Sequence, residues 1–158
     1  MKSFIKISLL IPALGFIFFS GCKKYPDGPL FSIYSPQVRI LGEWDVNYFS
    51  VNGFDSTSYL KAQPFYARYY IRSSKLDNYS TFFALLNPGT GYNGQGYWMF
   101  LENKTKIYFH LDLIYVPGNI GPYCANDITW KIRRLKKDEL WLETEYLNKV
   151  YFVKFSRK

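Results

Sequence analysis

From Arg39 onward, short β-type runs alternate with turn residues, and in some of them apolar and polar positions alternate one for one. The period is clearest over 105–113, where Ile107, Phe109 and Leu111 fall on one side and Lys106, Tyr108, His110 and Asp112 on the other. Ile128, Trp130 and Ile132 oppose Thr129, Lys131 and Arg133 in the same way. A period of two sets one face on a core and the other in water. No window carries a sustained helical period, and no internal repeat is visible. Eight β-type runs, at 43–52, 65–74, 79–87, 96–102, 105–113, 128–135, 139–146 and 149–156, are separated by turn residues. That spacing predicts an all-β sandwich or barrel.

The last runs predict hairpins in a definite register. A turn at Lys136-Lys137-Asp138 pairs Ile132 with Leu142 and Lys131 with Glu143, and sets Arg133 opposite Trp141 as an exposed cation–π pair. A turn at Leu147-Asn148 pairs Leu142 with Val153, Leu140 with Phe155 and Thr144 with Tyr151. Both registers send Leu140, Leu142 and Thr144 to one inner face. A two-residue turn at Asn103-Lys104 turns Trp98 and Phe100 inward, opposite Phe109 and Ile107; a longer turn selects Tyr97 and Met99 instead.

The first 21 residues break this pattern. Lys2 and Lys6 precede an apolar stretch, Ile7–Phe19, interrupted only by Ser8, Pro12 and Gly15. It is shorter than the roughly 20 apolar residues of a spanning helix and reads as an export signal. Phe19-Ser20-Gly21-Cys22 resembles the bacterial lipobox, although Phe19 stands where Leu is usual. The resemblance implies cleavage before Cys22 and a diacylglycerol thioether on that cysteine. Taking those 21 residues, with their two lysines, from 158 residues leaves 137 and lowers the formal charge from +8 to +6. Cys124 is then the one free thiol, so no intramolecular disulfide forms, and stability rests on a packed core.

Residues 22–36 hold Pro26, Gly28, Pro29 and Pro36 and read as a tether of at most about 45–50 Å. Within it Leu30–Tyr34 is apolar enough to be expected against the domain, which occupies 37–158. The net positive charge does not point to nucleic acid: the sequence holds no helix-turn-helix, finger or stacking platform. Lys23-Lys24 reads either as a contact to anionic headgroups or as a charged spacer.

At Gly42-Glu43-Trp44 the chain resembles the lipocalin and calycin signature, a Gly-x-Trp at the start of the first strand. With Cys22-Lys23-Lys24-Tyr25-Pro26-Asp27-Gly28-Pro29, Trp130-Lys131-Ile132 and Glu139-Leu140-Trp141-Leu142, it resembles the lipocalin-like lipoproteins of Bacteroidota. The resemblance implies an eight-stranded up-and-down antiparallel barrel plugged at its closed end by Gly42 and Trp44. It also implies a cation stacked on Trp44, for which Lys154, Arg157 and Arg39 are the candidates. It further implies a small apolar ligand in some members. Asp55-Ser56-Thr57 resembles the O-glycosylation acceptor of the same phylum, which makes Ser56 a candidate site.

Connection lengths point to a working end. The connections Gly53–Pro64, Pro88–Gln95 and Ile114–Asp127 are long and fall at one end of a meander, opposite Trp44. The inward residues nearest that mouth are expected to be Tyr48, Trp98, Leu111, Trp130, Thr144 and Tyr151, an apolar wall with a few hydroxyls suited to a lipid-like ligand. The competing expectation is a barrel filled by side chains, which presents its loops to an outer-membrane protein or glycan.

Catalytic signals are weak. His110 and Asp112 read as a surface pair, and Glu143 as the cross-strand partner of Lys131. Asn87–Gly96 is glycine-rich without a following helix, and reads as a flexible loop. Cys124 reads as a small buried hydrophobe. No cofactor or metal is expected. The expected address is the cell envelope, anchored in the outer membrane and facing the periplasm, because only Asp27 is acidic just after Cys22.

Overall fold

The computed structural model describes residues 24–29, 32–63, 66–73, 81–87, 91–114, 121–124 and 127–158. The leader and Cys22 lie outside the described residues, as do the middles of the connections at 74–80, 88–90 and 115–120. Eight strands form the body: β1 (Gly42–Val51), β2 (Arg68–Ser73), β3 (Thr81–Asn87), β4 (Gly91–Leu101), β5 (Lys106–Ile114), β6 (Asp127–Leu135), β7 (Glu139–Tyr146) and β8 (Lys149–Arg157). Each pairs antiparallel with the next, and β8 returns to β1, from Trp44↔Arg157 to Val51↔Tyr151. The eight strands therefore form a closed up-and-down barrel, each paired on both sides. A two-residue strand, Phe54–Asp55, folds back on the end of β1. Two short helices complete the framework, α1 (Pro36–Ile40) before β1 and α2 (Thr57–Lys61) between β1 and β2.

The closing hairpins have the expected register. Leu140 faces Phe155, Leu142 faces Val153 and Thr144 faces Tyr151, and the Leu147-Asn148 turn takes positive φ at both residues. Ile132 faces Leu142 and Lys131 faces Glu143. Trp98 meets Phe109 and Phe100 meets Ile107, around a turn at Glu102–Lys104.

Bulges account for the differences. In β6 the ladder slips between Ile132 and Arg134, so it is Arg134, rather than Arg133, that faces Trp141, 4.6 Å from its ring centroid. Arg133 instead pairs with Glu143 at 2.8 Å, taking the carboxylate expected for Lys131. In β1 the ladder slips between Val46 and Tyr48. Trp44 and Val46 point inward, and after the extra residue it is Phe49 that is buried. A bulge adds one residue and reverses the parity beyond it.

The glycine-rich run is also corrected: Gly91–Gly96 is the first half of β4, paired to β3 and β5. A Cβ on Gly96 would sit 1.9 Å from the His110 carbonyl oxygen, so only glycine lets the two backbones approach this closely.

Candidate functional site

The closed end is built around Trp44, which is fully buried. Its indole nitrogen donates to the Ile40 carbonyl at 2.8 Å. Of the three candidate cations, Arg157 stacks on the ring, its guanidinium 4.9 Å from the centroid. Arg157 Nη2 also donates to the Arg39 carbonyl at 2.6 Å, which ties α1 to β8. Lys154 lies on the outer wall, against Trp141 and Tyr48. Gly42 has φ +135°, a region that favours glycine, and a Cβ there would meet the Arg157 guanidinium at 3.5 Å. Trp44, capped by Arg157, thus plugs one end of the closed eight-stranded up-and-down barrel.

Within the expected tether, residues 24–29 are held against the barrel. Tyr25 is 1% exposed, under Arg39 at 5.8 Å from its ring centroid. The Asp27 backbone N–H donates to the Arg133 carbonyl at 2.9 Å, and Arg133 Nε donates to the Asp27 carboxylate at 3.0 Å. Arg134 donates to the Asp27 carbonyl at 2.9 Å. The expected apolar contact is absent from the described part of Leu30–Tyr34, since Ile33 is 92% exposed.

At the opposite end the predicted wall is only partly assembled. Leu111 and Tyr151 are buried and face inward. Thr144 donates its hydroxyl to the Thr129 carbonyl at 2.8 Å. Trp98 is buried, but it sits three residues from the Glu102–Lys104 turn at the closed end, its indole nitrogen bonded to the Arg72 carbonyl at 2.8 Å. Trp130 is fully buried and its indole N–H has no partner. Tyr48 is not part of the wall: the β1 bulge turns it outward, against Phe152 and Lys154.

The plug of the mouth was not foreseen. A single 3-10 turn, Gly121–Cys124, inserts Tyr123 into the barrel. Tyr123 lies 5.1 Å from Tyr69, 6.2 Å from Phe49 and 6.4 Å from Phe155, ring centroid to centroid. Its hydroxyl donates to the Ala67 carbonyl, and its own carbonyl accepts from the Tyr69 hydroxyl at 2.8 Å. Leu60 of α2 is fully buried beside the same opening. One sequence signal was available, an aromatic within the long Ile114–Asp127 connection, but loops carry such residues for many reasons.

The outer wall holds the one histidine. His110 Nδ1 lies 2.7 Å from Asp127 and Nε2 lies 3.0 Å from Asp112, with Tyr97 stacked at 4.7 Å. The hydrogen bond to Asp127, and then that to Asp112, holds the imidazole above its ordinary pKa. Both ring nitrogens therefore face carboxylates, in a surface cluster with Asp112 and Asp127. Ser56 sits just before α2; its hydroxyl donates to the Phe54 carbonyl at 3.3 Å, and its N–H donates to the Phe49 carbonyl at 2.8 Å. Among the described residues no group of three or more His, Cys, Asp or Glu could hold a metal ion.

No protein-family model matches this sequence, and no curated protein matches it. Solved structures that this chain matches include two from Bacteroides. A lipocalin-like protein from Bacteroides uniformis ATCC 8492 is 15% identical with a TM-score of 0.46, over 76% of this chain and 99% of that one. An uncharacterized protein from Bacteroides eggerthii DSM 20697 is 15% identical with a TM-score of 0.45, over 75% and 98%.

Proposed function

We propose that this chain is a non-enzymatic protein of the cell envelope, held at the outer membrane through a lipid on Cys22 and facing the periplasm. Its barrel is a self-filled scaffold that offers its outer surface to a partner in the envelope. The burial of the barrel wall carries this reading. Trp44, Ile107, Phe109, Trp130, Leu140, Leu142 and Val153 have no accessible surface, whereas a ligand-sized void would leave its lining exposed. Eight strands enclose a space that side chains alone can fill, and Tyr123 and Leu60 are buried at the end with the long connections. A second reading, a small apolar ligand inside the barrel, draws support from the partnerless N–H of Trp130 and from the plug being carried on a loop.

Two groups of measurements test the proposal, one for the anchor and one for the barrel interior. Maturation should be blocked by globomycin and Cys22 should take up a clickable palmitate; a Cys22→Ala protein that stays with membranes defeats the anchor. Native mass spectrometry of protein extracted from its own host should show no bound lipid, and fatty acids should leave the tryptophan emission unchanged. A co-purified apolar compound, or emission quenched by fatty acids and restored to indifference in Trp130→Phe, favours the second reading instead.

A further inference from the structure

We propose that the cleft between the N-terminal segment and α1 is a binding site for an oxyanion borne on an apolar stem, the chemistry of a phospholipid headgroup or a free phosphate ester. The cleft has a volume of about 480 Å³ and is lined by Lys24, Tyr25, Pro29, Ile33, Pro36 and Arg39, with serines at 32 and 35. That volume lies within the usual range for small-ligand sites. One side of the lining is cationic and another apolar, so an amphiphile fits better than a bare ion or a pure hydrocarbon.

The unusual feature is Arg39. Its side chain is 6% exposed, yet among the described residues it makes no ion pair. Nη1 donates to the Leu135 carbonyl, while Nε is buried with no partner. Buried charges are ordinarily paired, because an unmatched guanidinium keeps its desolvation cost. The Tyr25 hydroxyl beside it is likewise buried and partnerless. Burial pushes that phenol up to about 12, against the pull of Arg39, so it remains a donor.

The surroundings add positive charge. Burial, then Lys104 and Arg39, hold the Lys24 ammonium below its ordinary pKa. Arg157, bonded to the Arg39 backbone, makes no ion pair among the described residues either, and its Nε is also without a partner. An arriving oxyanion would thus meet cations from the N-terminal segment and α1 and the phenolic donor of Tyr25, in the geometry that makes charge-assisted hydrogen bonds strong. The headgroup source rests on the anchoring reading, since Lys24 is two residues from Cys22; the anion site itself does not.

The test uses the full chain with Cys22→Ser, purified in a non-ionic detergent. Calorimetry compares three probes: inorganic phosphate, dihexanoyl phosphatidylglycerol and the uncharged dihexanoylglycerol. Binding of the phosphatidylglycerol and not of dihexanoylglycerol is expected, weakened about ten-fold or more by Lys24→Glu at the exposed rim, the scale of one lost charge-assisted contact. Arg39→Gln should abolish it, and Lys24→Glu, with an unchanged thermal midpoint, guards against a folding artefact. Phosphate binding that responds to Lys24→Glu supports the anion site whatever becomes of the anchor, and assigns a soluble source if the lipid adds nothing. No binding of either anion, binding indifferent to Lys24→Glu, or equal binding of dihexanoylglycerol overturns the proposal.

Discussion

Trp44 shows how much one side chain holds here. It joins α1 through the bond to Ile40, β8 through Arg157, and the core through complete burial. Trp44→Ala is therefore expected to cost about 3–5 kcal/mol in urea unfolding, as large aromatic truncations in packed cores do. A loss below about 1 kcal/mol would mean that the closed end carries little of the stability. The role of this residue was legible in Gly42-Glu43-Trp44, whereas the identity of its cation was not. Alternation with the inward Val153 and Phe155 sends Lys154 outward, and the choice that remains, Arg157 or Arg39, depends on where β1 and β8 meet, which the β1 bulge alters. The same bulge hid the orientation of Tyr48. No residue type at 46–48 marks an inserted position, so strict alternation carried Tyr48 to the wrong face.

Among the elements, β5 to β8 were readable because alternation, turn chemistry and cross-strand partners all agree there. β4 was readable only in its second half. Its first half is glycine-rich, which local propensity assigns to a loop, and the close approach to His110 that requires Gly96 is a tertiary fact. The connection from β5 to β6 was legible as long, but its content was not. Tyr123→Ala tests what that connection does. Removing the ring should free the loop from Phe49, Tyr69 and Phe155, open space inside the mouth, and raise binding of the fluorescent probe ANS several-fold while lowering stability by about 3–5 kcal/mol. A stable variant with unchanged ANS fluorescence would show that the plug is dispensable. Tyr123→Phe keeps the ring and leaves the Ala67 carbonyl without this donor, so about 1–3 kcal/mol should be lost without new probe binding.

At the scale of the molecule the defining contact is between the first and last strands. Removing 154–158 would take away the pairing of Trp44 with Arg157 and Val46 with Phe155, leave half of β1 as an open edge and strip the indole of its cap. Such a chain is expected to lose cooperative unfolding and to associate through β1, measurable by denaturant titration and light scattering; a sharp transition in a monomer would contradict this. The grip of residues 24–29 on the closed end has a mechanical side. A pull on the N-terminus reaches Tyr25 and the Asp27–Arg133 contacts first, α1 next, and β1 only after both have yielded. These outer contacts are few and non-covalent, whereas β1 is laced to neighbours on either side. Under tension at that end the outer grip is therefore expected to slip before the barrel strands part, like a fuse in the load path.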